Sequence, residues 1–410
     1  MSDVVIVGGG IAGSSLAILL ARGGVDVTVL ERTTAYEDRV RGETMPPWGY
    51  RELVLTDLLD VFLRAEGMVA QRYAAYGDTM EPDVADATAI DASALVPGAA
   101  GGVNLSHPGA CQALSDEAAD AGAQVMRGVR GIAVTAGEQP EISFRTAAGP
   151  QTLRPRLVVG ADGRSSIVRK QIGVELERSG VRTFASGVLL DGVEKWPRTT
   201  NAVGTWDDVY YLVFPRGEDR ARLYLLWDRY QPQRFAGPQA SARMVKQMAS
   251  LGCFPEPDWF AAARPVSPVA SYPMEDTWIA RPYAPGVVLI GDAAGWNDPI
   301  IGQGLSIAVR DVRLVAAALL GTTDWSPAAF EDYARERAER MRRLRATAEA
   351  VTRLRCEFTP QGKERRRAAF ARFAADPGAR MPIAAGLVGP DVLPAESFTR
   401  EAADRMLALP

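Results

Sequence analysis

The chain has 410 residues, 47% hydrophobic and 23% charged, with a net charge of −4 at neutral pH. Such a composition belongs to a folded protein of two or three structural units, not a disordered chain, and its near-balanced charge offers nothing to nucleic acid. A single histidine, His107, excludes His-rich zinc and di-iron sites, and no metal is expected.

No apolar run approaches the ~18 residues of a membrane span, and the first strand follows Met1 with no basic, signal-like leader. The three cysteines, Cys111, Cys253 and Cys356, are far apart and odd in number, which favours a reducing, cytoplasmic location. Residues 3–7, DVVIV, form a β-branched run of strand length. GGGIAG follows, giving Gly8-x-Gly10-x-x-Gly13, then the helix-forming SSLAILLARGG and a second strand, VDVTVL. Glu31 stands 18 residues beyond Gly13, followed by Arg32. This is a dinucleotide fingerprint in its required context: Gly8 permits the tight turn, Gly10 lets a pyrophosphate approach the backbone, and Gly13 lets helix and strand pack closely. Glu31 accepts hydrogen bonds from a ribose and repels a 2′-phosphate, so FAD or NAD is expected there rather than NADP.

Further along, LVVGADGRSSIVR at 157–169 is a strand running into Ala161-Asp162-Gly163. Residues 181–230 change to alternating apolar strands, VRTFASGVLLDGV, TWDDVYYLVFP and ARLYLLWD, dense in aromatics. One face of that sheet must be core and the other could wall a pocket; Tyr211, Tyr224 and Trp227 are taken as pocket candidates, with Trp48 and Trp296. GVVLIGDAAGWNDPIIGQGLSIAVRD at 286–311 is a strand, then Gly291-Asp292, Pro299 (also a pocket candidate) and the turn Gly302-Gln303-Gly304 opening a helix. Acids at the carboxyl ends of strands and N–H groups at a helix start are where ligands collect in open α/β sheets. From 327 onward the chain is helical, with 13 basic and 7 acidic residues between 327 and 372. This reads as a solvated face with i,i+4 pairs such as Glu336–Arg340 and Glu339–Arg343.

In this order the three motifs resemble the single-component flavoprotein monooxygenases of the para-hydroxybenzoate hydroxylase type, over about residues 1–345. The resemblance implies an α/β fold: a Rossmann-like FAD-binding domain, an inserted antiparallel-sheet substrate domain and a helical C-terminal tail. It places the FAD-binding domain at 1–80, 100–175 and 275–345, the substrate-binding domain at 81–99 and 176–274, and a helical segment at 346–410. It further implies that Asp292 binds the ribityl chain, that Gly302, Gln303 and Gly304 lie beside the flavin pyrimidine, and that Asp162 serves both FAD and NAD(P)H. Arg41, in the run Arg39-Val40-Arg41-Gly42, is expected to contact FAD, and His107 matches a position where the family places an arginine or glutamine at the cofactor. The histidine usual after GDAA is Gly295 here, which alters the flavin wall. The implied function is hydroxylation of a small to medium aromatic or polyketide-like substrate by non-covalent FAD, with NAD(P)H as a transient co-substrate and dioxygen, through a flavin C4a-hydroperoxide. A separate flavin reductase is the less favoured arrangement. The alternatives are a reductase or dehydrogenase on the same fold, a halogenase, and a non-catalytic flavin-binding accessory protein. The halogenase is disfavoured because no lysine precedes Lys170 and no WxWxIP occurs.

Overall fold

A computed structural model describes residues 2–38, 40 and 42–409; the sequence-predicted Arg41 lies outside the described residues. The chain opens as βαβ: strand Val4–Val7, helix Ile11–Arg22, strand Val27–Glu31. These strands join Gln124–Arg127, Leu157–Gly160 and Val287–Leu289 in one sheet, parallel throughout, with Tyr283–Ala284 added antiparallel at its edge. Val4–Val7 is buried along its whole length, because helices cover one face and a small three-stranded sheet carrying Val134, Ile142 and Phe144 covers the other; that is why its sequence reads as a continuous apolar run instead of an alternating one. Helices Ile11–Arg22, His107–Asp120 and Gly304–Gly321 pack their apolar sides, including Leu16, Leu114 and Val312, into one core with Ile6 and Val29. The carboxyl ends of three neighbouring strands thus bring Gly8, Asp162 and Gly291 to one edge of the sheet.

An eight-stranded sheet forms the second layer of the molecule; its long strands are Thr183–Asp191, Thr200–Trp206, Val209–Arg216 and Arg220–Asp228. The run TWDDVYYLVFP, read from sequence as one strand, is two: Trp206 pairs with Val209 across a two-residue turn. Asp207 has φ +51° there, a conformation that short polar side chains tolerate and that the tight hairpin needs.

The tail corrects a second reading. Arg340–Glu336 (3.0 Å) and Arg343–Glu339 (2.6 Å) are indeed paired. The helix Glu331–Arg355 is nevertheless not a solvated rod, since Arg337, Arg340 and Arg355 are buried on it, as Arg366 is on the next helix. An arginine-rich pattern marks charge without saying whether acceptors wait in the interior. Among the described residues no helix is long and apolar enough to cross a membrane, and no group of three or more His, Cys, Asp or Glu could hold a metal ion.

Candidate functional site

The glycine-rich turn is shaped by contacts that leave no room for side chains on one side and open space on the other. A Cβ on Gly13 would sit 1.8 Å from the Gly8 carbonyl oxygen, and one on Gly8, at φ +103°, would sit 2.5 Å from that of Ala161. Gly10 has nothing within 4 Å of its Cβ position, so the helix N-terminus of Ile11–Arg22 faces an open cradle suited to a pyrophosphate. Glu31 ends its strand with both carboxylate oxygens engaged, by the N–H of Gly9 (2.7 Å) and of Thr33 (2.6 Å). Each oxygen keeps a second lone pair, so the carboxylate is oriented without being used up. Arg32 is exposed beside it. His107 opens the helix His107–Asp120, which Ser106 caps through the Gly109 N–H, and its ring lies 3.1 Å from where a Cβ on Gly42 would stand.

The second and third motifs meet each other directly. Asp162 turns onto its own chain, accepting from Ser166 Oγ (2.5 Å) and the Ile167 N–H (2.6 Å). In that position it anchors the short helix after the turn. The contact across the motifs comes from two arginines that were not among the sequence-predicted site residues: Arg164 Nε lies 3.3 Å from Asp292 Oδ2, and Arg169 donates to the Ala293 carbonyl at 2.9 Å. The Asp292 side chain is 33% exposed and Arg164 35%, so the pair opens toward the cradle. Replacing Asp292 by Ala therefore costs the fold little, while removing the carboxylate expected on a ribityl chain. Purified Asp292→Ala is expected to carry at most a tenth of the wild-type FAD while its apoprotein melts at nearly the same temperature; full flavin occupancy would remove Asp292 from the site.

Beneath the Gly291–Ala294 turn sits an ion cluster that sequence alone did not reveal. Arg337 donates from Nε to Asp311 (3.0 Å) and from its other nitrogens to the carbonyls of Ala294 (2.8 Å), Gly295 (2.9 Å) and Gly291 (3.2 Å). Asp311 also accepts from the Gly291 N–H (2.9 Å) and from Arg340 (2.7 Å). The two guanidiniums overcome its complete burial and hold its carboxyl below the usual range. A usable signal was present: Asp311 is a charge on an otherwise apolar helix face.

On the far side of that turn, Asp298 precedes Pro299, which lies half-buried at the start of a 3₁₀ turn. Asp298 and Asp276, both buried, share Arg182 at 3.3 and 2.6 Å. Burial and the neighbouring Asp276 push the Asp298 carboxyl up to about 6. Gly302 then takes φ +64° and Gly304 opens the helix Gly304–Gly321 with nothing within 4 Å of its Cβ position. Gln303 between them is buried, and Trp48 Nε1 donates to its side-chain oxygen at 2.7 Å. Trp296 is also buried, with the guanidiniums of Arg164 and Arg178 5.2 and 5.6 Å from its ring centre.

Strand parity separates the aromatic candidates. Tyr211 and Trp227 point to the far face of the large sheet, into a core with Met244, Phe254 and Trp259. Tyr211 donates there to the Tyr76 carbonyl at 3.0 Å. Tyr224 points the other way, with Tyr210, Leu212 and Phe214, toward Val40 and Ile300. The structure therefore gathers Tyr224 with Ile300 and Ile301, the residues between Pro299 and the Gly302–Gly304 turn, and does not bring Tyr211 or Trp227 there. Trp48 stands behind the turn. Tyr272, not singled out from sequence, joins Tyr224 on this face together with Val351, Cys356 and Phe358 of the tail, all only partly buried. Burial raises the Tyr272 hydroxyl to about 12 and that of Tyr224 well above its ordinary value, so both remain O–H donors.

At the rim of this face the fully buried Arg222 meets Asp38 and, at 3.2 Å, Glu43. Burial outweighs Arg222 and Arg216 and raises the Glu43 carboxyl to about 7. Between the unfolded value of ~4.3 and that point the native state holds a proton that the unfolded chain has released. By linkage, the Glu43 contribution to stability is full below the unfolded value, falls as pH rises through this window and is level above it. Wild type is expected to lose on the order of 3 kcal/mol more than Glu43→Gln between pH 4 and pH 8 in urea unfolding. Parallel pH profiles would show that Glu43 is ionised in both states.

Comparison with known proteins bears on this site. The FAD binding domain family matches residues 1–348. An uncharacterized aromatic compound monooxygenase, YhjG, of Bacillus subtilis (strain 168) is 27% identical over 381 residues, covering 88% of this chain and 70% of its own. The ubiquinone hydroxylase UbiL of Rhodospirillum rubrum is 27% identical over 385 residues, covering 86% of this chain and 82% of its own. Among solved structures, PqsL of Pseudomonas aeruginosa, titled a probable FAD-dependent monooxygenase, superposes with a TM-score of 0.71 at 24% identity, covering 85% of this chain and 95% of its own. That likeness is one of fold.

Proposed function

The chain belongs to the FAD binding domain family as a flavin-dependent monooxygenase, and from that premise we propose that it hydroxylates a small to medium aromatic or polyketide-like compound using NAD(P)H and dioxygen. The observation that carries the reading is the face bearing Tyr210, Leu212, Phe214 and Tyr224, set against Ile300 beside the Gly302–Gly304 turn. Oxygen transfer to an aromatic ring requires an apolar surface beside the flavin cradle, and this face supplies one.

The residues present fit FAD. Gly10 and Gly304 leave open the sides that a Cβ would fill, Asp292 is partly exposed, and Glu31 is held in place at the end of its strand. Bound FAD supplies the electron transfer from NAD(P)H and the activation of dioxygen. The protein supplies position and exclusion of water. The helix N-terminus after Gly10 takes the pyrophosphate, Glu31 the ribose and Asp292 the ribityl chain. The N–H groups at the start of Gly304–Gly321 face negative charge at the pyrimidine end. Tyr224 and Tyr272 offer O–H donors to a polar substituent of the substrate, while Leu212 and Phe214 pack its ring.

The test begins with the visible spectrum of the purified holoprotein, made anaerobic and given NADPH, then NADH. Bleaching of the flavin band, faster with a phenol or polyketide present, followed by oxygen-dependent appearance of a product heavier by one oxygen atom, is the expected result. A flavin that neither nucleotide reduces with any substrate of the panel would overturn the NAD(P)H-dependent reading. Steady reduction with no oxygenated product would point instead to a reductase on this fold.

A further inference from the structure

The Gly302–Gly304 turn is held from behind by the C-terminal tail. Gln303 is 1% exposed and every bond of its amide is made within the protein. Its oxygen accepts from Trp48 Nε1 at 2.7 Å, and its nitrogen donates to the Gly386 carbonyl at 3.0 Å and to that of Ile301. One donor on one side and two acceptors on the other allow a single orientation of the amide. Gly386 belongs to the helix Met381–Val388, beyond the stretch that matches the family. The contact is built, not incidental. Gly389, at φ +94°, comes close enough to Trp48 that a Cβ would lie 3.1 Å from the Trp48 Cβ and 3.2 Å from its indole. Arg343 donates to the carbonyls of Pro390 (3.0 Å) and Leu393 (3.2 Å), and Arg310 pairs with Asp391 at 2.5 Å. The tail is thereby tied to the helix that the Gly302–Gly304 turn opens and to the helix that carries Arg337 and Arg340 under the Gly291–Ala294 turn.

We infer that Gln303 is a positioning residue through which Trp48 and the helix Met381–Val388 fix the backbone N–H groups of the Gly302–Gly304 turn, making the C-terminal segment a working part of the flavin site. The inference rests on the flavin pyrimidine lying against this turn. A glycine on each side leaves the turn little stiffness of its own. The amide of Gln303 supplies that stiffness through partners on two separate elements. N–H groups fixed at a helix start favour the added negative charge of a reduced flavin over the oxidised form, and a loosened turn loses that preference first.

The experiment compares Gln303→Met and Trp48→Phe with wild type as FAD-loaded proteins. The FAD dissociation constant and the two-electron reduction midpoint are read anaerobically against a reference dye. Gln303→Met is expected to weaken FAD binding about tenfold and to lose about tenfold of the preference for reduced flavin, a shift of the midpoint of roughly 30 mV to the negative. Trp48→Phe, which keeps the packing and removes one donor, should move both in the same direction by less, and decides the matter should Gln303→Met not fold. Gly304→Val fills the open side of the turn and serves as the reference for flavin position. If Gly304→Val loses FAD while the other two variants keep wild-type affinity and midpoint, the inference is overturned and the flavin stays at the turn. If Gly304→Val binds FAD normally, the flavin does not lie there, and both readings fail.

Discussion

Asp311→Ala is expected to be the most damaging single substitution in the flavin domain. It leaves Arg337 and Arg340, respectively 2% and 1% exposed at their side chains, without the carboxylate that both address. Removing one partner of a buried ion pair costs about 3–5 kcal/mol, against a total stability on the order of 5–15 kcal/mol. The variant should therefore be recovered poorly and without FAD, since the Gly291 N–H loses its acceptor in the same step. Arg337→Lys is a gentler probe. A lysine is a single point of charge and cannot reach Asp311 and three carbonyls at once, so a loss of about 2–3 kcal/mol is expected. Denaturant unfolding of the apoprotein measures both, and the pH dependence identifies the cause. The Asp311 carboxyl is depressed in the native state, so its contribution is complete above the unfolded value of ~3.9 and is lost as pH falls below it. Wild type should destabilise on acidification more steeply than Asp311→Ala. Wild-type stability in either variant would mean that the cluster does not hold the turn.

A pair of glycine substitutions separates folding from cofactor binding. In Gly13→Ala the new methyl would meet a backbone oxygen at 1.8 Å, and backbone cannot step aside as a side chain can. The apoprotein itself should lose about 1–3 kcal/mol or more. Gly10 has an extended conformation, φ −80° and ψ −165°, that a β-branched residue adopts readily, and its Cβ direction is empty. Gly10→Val should therefore fold as well as wild type while FAD affinity falls at least a hundredfold, about 2.7 kcal/mol. Apoprotein melting and FAD titration by flavin fluorescence check the two arms. Unchanged affinity in Gly10→Val would mean that no phosphate passes over this turn.

The FAD family, its cofactor and the α/β fold were legible because their signals are local. A glycine at a tight turn, an apolar strand before it and an acid at the end of the next strand lie within thirty residues, and each is demanded by backbone geometry at that point. The strand-to-turn geometry around Asp162, Asp292 and Gly302 was legible for the same reason. Strand parity was not. Tyr211 and Tyr224 both read as aromatic members of alternating strands, and only the packing of Val40 and Ile300 on one side and of Met244 and Phe254 on the other decides which of them faces Ile300.

The tail shows the same division more sharply. Sequence alone determined that the chain is helical from 327 onward, and it found the pairs four residues apart, because those depend on 3.6-residue periodicity. It could not determine that Arg337 and Arg340 are buried under the Gly291 turn, or that the helix Met381–Val388 reaches Gln303, 83 residues earlier. Burial of a charge depends on whether acceptors distant in sequence are brought within about 3 Å. Only the tertiary structure, by stacking the tail on the helix that carries Asp311, decides that.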